Sequence, residues 1–247
     1  REVRQRRRAD RPSMRVARLH APGDLRIGGE PDPEPRDGEV LVDVAAVGIC
    51  GSDLHWFDET GIGGAELTRP LVLGHEGAGV IASGPRAGTR VAIDPNLPRG
   101  MCATCARGLG HLCPDVRFLG HSDTDGLLRD RIAWPLSRLV ALPDAIDDET
   151  GALLEPLGVA LHALRLARVG PGDSVGIFGA GPIGQLLIQL AFAAGARAVV
   201  ATDVLPHRVE AARGAGAIAA TVTGGSERAR LLDALDGRLL DAAIEIA

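Results

Sequence analysis

Short apolar runs that alternate with polar residues make up the first part of the chain, from Met14 to about Val140. Gly, Pro and Asp residues separate the runs, which is the pattern of strands joined by turns. The prolines between Pro31 and Pro35 indicate an extended linker, and Pro114 closes a loop that carries cysteines. We therefore expect a β-barrel-like domain with irregular excursions, with strands at Arg15–His20, Val40–Val47, Gly79–Ser83, Thr89–Ile93 and Leu136–Ala141.

The pattern changes near Glu149, where an Ala- and Leu-rich stretch with helical spacing predicts one long helix over Thr150–Arg168. Beyond this helix, strand and helix patterns alternate, which is typical of a parallel, doubly wound α/β sheet. The predicted strands are Ser174–Phe178, Ala198–Thr202, Ala217–Thr221 and Leu240–Ile246, and the predicted helices are Pro182–Ala194, Pro206–Gly214 and Glu227–Leu235. A complete dinucleotide-binding sheet has six strands. Four strands therefore predict a C-terminally incomplete domain with an exposed apolar edge.

Composition excludes several classes of function. The chain has 247 residues and a net charge of -5, which predicts two domains and no nucleic-acid or membrane partner. It contains no Lys and no Tyr, which excludes Schiff-base chemistry and the Tyr–Lys pair of short-chain dehydrogenases. The four cysteines have metal-ligand spacings, which favours a reducing, cytoplasmic setting. The expected organisation is a disordered Arg-rich tail at 1–13, a β-barrel-like domain at 14–157 and an α/β domain at 158–247.

Candidate metal ligands lie in two glycine-flanked segments, GICGSDLH at 48–55 and GHEGAGV at 74–80. They contribute Cys50, His75 and Glu76. One thiolate, one imidazole and one carboxylate form a set of three ligands that leaves a zinc position open, as a catalytic zinc requires. Cys50 alone would be read as a small buried hydrophobe and His75 alone as a core imidazole. The joint pattern favours a metal.

A glycine-rich turn predicts a dinucleotide site. FGAGPIG at 178–184 lies between a predicted strand and a predicted helix, and it contains the pattern G-x-G-x-x-G. In this pattern the glycines allow the tight turn, the approach of the pyrophosphate and close helix–strand packing. The helix N-terminus supplies N–H groups for the phosphates. The candidate binding residues in this turn are Gly179, Gly181, Pro182, Ile183 and Gly184.

Asp203 lies nineteen residues past Gly184, at the end of the next predicted strand. Its carboxylate can accept from both ribose hydroxyls and would repel a 2′-phosphate, which favours NAD over NADP. The alternative role for Asp203 is to cap the following helix. Arg208 is a candidate cofactor-binding residue that keeps NADP open as the less favoured cofactor.

Taken in order, the motifs GICGSDLH, GHEGAGV, LLEPLGVALHA and GAGPIG resemble those of the zinc-dependent medium-chain dehydrogenases, and in particular the sorbitol-type and sugar-acid dehydrogenases. The resemblance covers residues 14–247. It implies a GroES-like β-barrel catalytic domain joined to a Rossmann domain, with the zinc in the cleft between them. It also implies that Cys50, His75 and Glu76 bind this zinc.

The resemblance assigns roles to further residues. Glu155 falls where alcohol dehydrogenases have another ligand, and it resembles a carboxylate that ligates the metal or holds the water on it; the alternative is an exposed acid at a helix start. Ser52 and His55 resemble a hydroxyl-to-imidazole proton relay, although a turn cap and a surface residue explain them as well. His121, Asp123 and Asp125 lie in a loop that faces either substrate or solvent.

A second cysteine cluster departs from the family pattern. Members with a structural zinc carry the spacing C-x2-C-x2-C-x7-C, and here Cys102, Cys105 and Cys113 match the last three positions. Arg99 stands at the first position. A closed tetrahedral site needs four ligands, so the pattern leaves open whether this lobe holds a structural zinc.

The expected function is transfer of a hydride from a secondary alcohol of a polyol or sugar acid to NAD. Zinc lowers the pKa of the alcohol toward neutrality, and the nicotinamide accepts the hydride. Threonine-type and butanediol-type dehydrogenases of the same family are alternatives, as are a zinc-free quinone-reductase relative, a dinucleotide sensor and an inactive fragment. A small alcohol is the expected partner, and the full-length form is expected to be a homodimer or homotetramer.

Overall fold

A computed structural model describes residues 13–59, 61–221, 229, 232–233 and 235–246. The predicted tail lies outside the described residues except for Ser13, and so does most of the predicted helix Glu227–Leu235. The chain divides into two compact units that meet in the sequence at Glu155 and Pro156. Among the described residues, no helix has the length and hydrophobicity needed to cross a bilayer.

The first unit is built on antiparallel sheets, which confirms its predicted β class. A three-stranded sheet has the order β2-β1-β6, and a five-stranded sheet has the order β11-β3-β7-β8-β12. The strands of these two sheets are β1 (Ser13–Ala21), β2 (Asp24–Pro31), β3 (Glu39–Gly48), β6 (Leu71–Val72), β7 (Glu76–Ile81), β8 (Arg90–Ile93), β11 (Arg131–Pro135) and β12 (Leu139–Ala141). Two short hairpins pair β4 (Gly61–Ile62) with β5 (Ala65–Glu66), and β9 (Asn96–Leu97) with β10 (Arg117–Phe118).

The helices of the first unit are short. They are α1 (Gly51–Asp58), α2 (Ala103–Ala106) and α3 (Asp148–Ala152), with 3-10 turns at Gly110–Leu112 and Leu136–Arg138. The core of the five-stranded sheet is apolar and includes Val42, Ile81 and Trp134. A separate cluster buries Trp56 of α1 against Leu19 and Leu71, so α1 is fixed to the three-stranded sheet.

Several predicted element boundaries were wrong. The long helix at 150–168 is interrupted: α3 ends at Ala152, and α4 (Leu154–Ala167) begins after Leu153. Pro156 has no N–H to donate to the carbonyl of Ala152, which explains a break at this point.

The strand boundaries also differ. Strand β2 runs to Pro31, where an extended linker was expected. The predicted strand 136–141 starts with a 3-10 turn, and only Leu139–Ala141 pairs with β8. Strand β7 covers 76–81 rather than 79–83, which brings Glu76 into the sheet.

The second unit is the predicted parallel sheet with helices. Its strand order is β15-β14-β13-β16, so the first strand in sequence lies beside the second and the fourth. The elements are β13 (Ser174–Phe178), α5 (Pro182–Ala193), β14 (Ala198–Thr202), α6 (Pro206–Gly214), β15 (Ala219–Thr221) and β16 (Ala242–Glu245). The core packs Ile177 and Val199 of the sheet against Leu187 and Ile188 of α5. This arrangement places the β13–α5 turn at the carboxyl edge of the sheet.

Candidate functional site

The pairing of β3 with β7 brings the two metal-ligand segments together. Gly48, the last residue of β3, pairs with Glu76, the first residue of β7. A Cβ on Gly48 would lie 2.2 Å from Oε2 of Glu76, so the absence of a side chain at Gly48 makes room for the carboxylate. Cys50 follows two residues later, and His75 immediately precedes Glu76.

Asp53 connects these two segments. Cys50 is the N-cap of α1, and its backbone N–H donates to Oδ2 of Asp53 at 2.9 Å. The N–H of Gly74 donates to Oδ1 at 3.0 Å, and Nδ1 of His75 lies 3.7 Å from the same oxygen. Asp53 is 3% exposed. It was missed in the sequence, although an acidic residue at the third helical position is a recognised capping signal.

The ligand atoms of Cys50, His75 and Glu76 lie within 4.8 Å of one another. Burial raises the pKa of the Cys50 thiol, and the neighbouring Ser52 lowers it in part. Burial also raises the pKa of Glu76, and the neighbouring His75 and Cys50 lower it in part. Two acidic donors and an imidazole thus share a poorly solvated environment. A divalent cation there would supply the positive charge that stabilises the thiolate and the carboxylate. Sulfur, nitrogen and oxygen donors are those that zinc takes, so these residues fit the predicted ion.

Other predicted residues lie near this cluster. Glu155, at the start of α4, is partly buried, which raises the pKa of its carboxyl; the charge of His75 lowers it, and that of Glu76 raises it. Ser52 lies close enough to the Cys50 thiol to lower its pKa. His55 is more exposed, and its Nδ1 lies 3.0 Å from Oε1 of Glu59. The structure thus places Ser52 at the cluster and turns the ring of His55 toward Glu59.

The end of β10 borders the cluster, and the loop that follows it contacts α1. The Phe118 ring lies 5.3 Å from the His75 ring, and the His121 ring meets Trp56 edge-on at 5.5 Å. Phe118 was missed in the sequence because a lone aromatic residue carries no motif.

Asp125 lies in the same loop and attaches the loop to neighbouring segments of the first unit. Its carboxylate pairs with Arg18 at 3.0 Å and with Arg69 at 3.4 Å, and accepts from the N–H of Val72 at 3.2 Å. Its contacts are therefore structural. Asp123 is exposed, and its Oδ1 accepts from the hydroxyl of Thr124 at 3.1 Å.

In the second unit, the glycine-rich turn joins β13 to α5. Gly179 follows β13 with φ of 108°, a conformation that L side chains rarely adopt. A Cβ on Gly184 would lie 2.2 Å from the carbonyl oxygen of Gly179, so α5 packs directly on the turn. Gly181 is the N-cap of α5, with Pro182 at its first position and Ile183 next. The free N–H groups of this helix start are suited to an anion.

Asp203 lies beside this turn, at the end of β14. Its Oδ2 accepts from the N–H of Ala180 at 2.8 Å, and its Oδ1 accepts from the N–H of Leu205 at 2.8 Å. Burial alone would raise its pKa, but these N–H groups and Arg208 outweigh burial and lower it. Arg208 Nη1 lies 3.6 Å from Oδ2. Asp203 therefore holds the loop and the start of α6, while the partly exposed guanidinium of Arg208 lies close to Gly181.

The second cysteine cluster is assembled as the spacing suggested. Sγ of Cys102 lies 3.3 Å from Sγ of Cys105 and 3.7 Å from Sγ of Cys113. Hydrogen bonds from Thr104 and from the N–H of Cys105 lower the pKa of Cys102 to about 6. These three residues form a second group that could hold a metal ion.

Comparisons with known proteins agree with this architecture. The family model "Alcohol dehydrogenase GroES-like domain" matches residues 36–144. Sorbitol dehydrogenase of Bacillus subtilis is 38% identical over 83% of this chain and 60% of its own length. The chain thus spans about 60% of the length of such curated relatives.

Two solved structures show the same fold. An oxidoreductase/dehydrogenase of unknown specificity from Escherichia coli superposes with a TM-score of 0.88 at 35% identity, over 96% of this chain and 71% of the other. An E. coli structure described as a short chain alcohol dehydrogenase complexed with NADH has a TM-score of 0.86 at 30% identity, over 95% of this chain and 69% of the other.

The chain combines a GroES-like unit that carries a Cys/His/Glu cluster with a parallel sheet that carries a glycine-rich turn. The identities and coverage are sufficient to establish common descent. The chain belongs to the zinc-containing medium-chain dehydrogenase family, and its relatives include a sorbitol dehydrogenase and a probable D-xylulose reductase.

Proposed function

We propose that this protein oxidises a secondary alcohol of a polyol or sugar acid, with zinc and NAD as cofactors. The observation that carries the proposal is the convergence of Cys50, His75 and Glu76, whose ligand atoms lie within 4.8 Å of one another. Similarity to a sorbitol dehydrogenase supports the choice of a polyol.

Cys50, His75 and Glu76 would hold the ion, and Glu155 would be a further ligand or an acceptor beside it. When bound, a zinc ion lowers the pKa of an alcohol and stabilises negative charge on its oxygen. Asp53 fixes the backbone of both ligand-bearing segments through the N–H groups of Cys50 and Gly74. This preorganisation holds the three donors in place before the ion arrives.

A proton must leave the alcohol as it is oxidised. Ser52 is at the Cys50 thiol, and His55 lies three residues further along α1, a spacing that places two side chains on one helix face. In our proposal the Ser52 hydroxyl accepts the proton and passes one to His55. The exposed imidazole of His55, next to Glu59, then exchanges it with solvent.

The turn from Gly179 to Gly184, including Pro182 and Ile183, would bind the pyrophosphate of the dinucleotide. The nicotinamide supplies the hydride acceptor when bound. The negative charge of Asp203 beside this turn favours NAD over NADP, since a 2′-phosphate would be repelled. Arg208 would contact the adenosine part, and it is the residue through which NADP would bind if selectivity were weak.

The test is NADH formation by the purified, zinc-loaded protein with sorbitol, xylitol and L-idonate, against threonine and 2,3-butanediol. We expect turnover with a polyol or sugar acid that is lost on zinc removal and restored by zinc. Undiminished turnover without zinc would overturn the proposal, and a clear preference for threonine or butanediol would reassign the substrate. Zinc content and NAD binding, measured separately by calorimetry, show whether inactivity reflects a missing cofactor.

A further inference from the structure

The lobe at 99–115 has three sulfur ligands where the family's structural zinc site has four. Arg99 occupies the remaining position, and arginine carries no lone pair that could bind a cation. The donor set therefore does not fit a closed structural zinc site, which needs four protein ligands.

The sulfur atoms nevertheless converge as ligands of one ion would. Three sulfur atoms bonded to one ion at about 2.3 Å lie about 3.5–4 Å apart. The Sγ–Sγ distances here are 3.3 Å and 3.7 Å from Cys102 to its two neighbours, and all three atoms lie within 4.8 Å of one another. All three cysteines are free thiols. Cys113 is 3% exposed, whereas Cys102 and Cys105 are partly exposed.

Arg99 contributes a positive charge near the three sulfur atoms, but it does not act as a ligand. Its Nη1 lies 3.0 Å from Oδ2 of Asp115, with both side chains more than half exposed. The pKa of Arg99 is raised first by its contact with Asp115, and the charges of Cys113 and Cys102 raise it further. The guanidinium thus lies within electrostatic reach of the sulfur atoms and would offset the charge of a thiolate complex.

We propose that Cys102, Cys105 and Cys113 form an open three-thiolate site for a thiophilic ion, with Arg99 in place of a fourth ligand. A zinc ion bound at this site would keep one coordination position open to an exchangeable ligand. An element whose valence is satisfied by three sulfur atoms, such as trivalent arsenic, binds in its place. Soft ions of this kind prefer thiolate ligands.

The binding reaction is balanced without an oxidant or reductant. Arsenous acid reacts with three thiols, so that three As–S bonds form and three As–O bonds break. The three thiol protons and three hydroxyl groups leave as three water molecules. Neither arsenic nor sulfur changes oxidation state.

The test uses the 247-residue chain, reduced with a phosphine and freed of metal, with arsenite as the probe. Native mass spectrometry should show one arsenic per chain, and alkylation should then label Cys50 but not Cys102, Cys105 or Cys113. Cys105→Ser, at a partly exposed position, should weaken arsenic binding by at least about 10-fold, the loss seen even for outer-sphere partners. Cys50→Ser should leave it unchanged, and Cys113→Ser should repeat the Cys105→Ser result.

Arg99→Cys is the matched control, because it restores the four-cysteine pattern. This variant should retain one more zinc per chain than the wild type after dialysis against a chelator. Arsenite should release zinc from this four-cysteine site less readily than from the three-cysteine site of the zinc-loaded wild type. Three results would overturn the proposal: no arsenic adduct, an adduct that survives Cys105→Ser, or a second zinc retained by the wild type as firmly as by Arg99→Cys. Each of these measurements concerns the lobe alone. Their outcomes therefore do not depend on whether the proposed dehydrogenase activity is found.

Discussion

Gly48 faces Glu76 across the β3–β7 ladder, and a Cβ on Gly48 would lie 2.2 Å from Oε2 of Glu76. The atom in the way is the end of a flexible side chain, so a larger residue at 48 would move the carboxylate rather than the strand. The packing of one backbone position thus determines where a proposed ligand lies.

Gly48→Ala should therefore weaken zinc binding by roughly 10–100-fold, since the Glu76 carboxylate is displaced from its partners. The loss of stability should stay near 1–3 kcal/mol, the usual size of an overpacking effect. Competition with a chromogenic chelator measures the affinity. Gly51→Ala is the control, because a Cβ there meets nothing within 4 Å. Equal zinc affinities for the two variants would refute the role of Gly48.

Asp53→Asn should loosen both ligand-bearing segments. Asparagine has one acceptor oxygen, so either the Cys50 N–H or the Gly74 N–H loses its partner, at a cost of about 1–3 kcal/mol. Thermal unfolding of the metal-free and zinc-loaded forms should show a lower midpoint and a smaller gain on zinc binding. Asp58→Asn changes an exposed residue of the same helix and should alter neither value. A normal gain on zinc binding in Asp53→Asn would contradict this role.

Glu155→Gln separates two roles for Glu155. If its carboxylate acts beside the ion, the variant keeps zinc at the Cys50 site while the rate of NADH formation falls about 10-fold or more. We expect this outcome, because three other donors already converge without Glu155. Glu149→Gln, an exposed acid of α3, is the control. Loss of zinc from Glu155→Gln would instead make it a ligand.

Gly184→Ala should impair the dinucleotide loop. The new Cβ would lie 2.2 Å from the backbone oxygen of Gly179. A backbone atom cannot move aside by a change of rotamer, so α5 must move away from the turn. We expect a stability loss of about 1–3 kcal/mol and loss of NAD binding in calorimetry. A Cβ at Gly158, in the middle of α4, meets nothing. Gly158→Ala should therefore preserve NAD binding and add up to about 1 kcal/mol of stability.

Asp203 should make stability depend on acid pH. Its folded-state pKa lies below the ordinary value, because N–H groups of Leu205 and Ala180 and the charge of Arg208 outweigh burial. This contribution is present above about pH 4 and is lost as the pH falls through the lowered folded-state pKa. Asp203→Asn should therefore be less stable than the wild type at neutral pH. The difference in the free energy of unfolding should shrink below about pH 4, and a constant difference would contradict the assignment.

Much of this molecule could be predicted from local patterns. The second unit has strong strand and helix periodicity and a turn with three characteristic glycines, so its parallel sheet was predicted correctly. Helix α1 was missed because only Asp53 and Trp56 are buried in it, which leaves no apolar period to detect. The pairing of Gly48 with Glu76 depends on a register shift between Val44 and Ala46, and no single-strand pattern encodes such a shift.

The site was predicted as a set of residue types rather than as a geometry. Cys50, His75 and Glu76 stood out because their chemistry suits one ion. Asp53 was not proposed, since its role depends on two N–H donors, of Cys50 and Gly74, that are 24 residues apart in the sequence. The double use of Asp203 by backbone N–H groups likewise appears only once β14 and the glycine-rich turn are adjacent.

The central claim is that Cys50, His75 and Glu76 hold one zinc ion. Anomalous diffraction at the zinc edge, from crystals grown with excess zinc, tests it most directly. The account predicts a peak bonded to Sγ of Cys50, a ring nitrogen of His75 and a carboxylate oxygen of Glu76, and no such peak in Cys50→Ser. A well-ordered map of the wild type with these side chains in place and no anomalous density among them would contradict it.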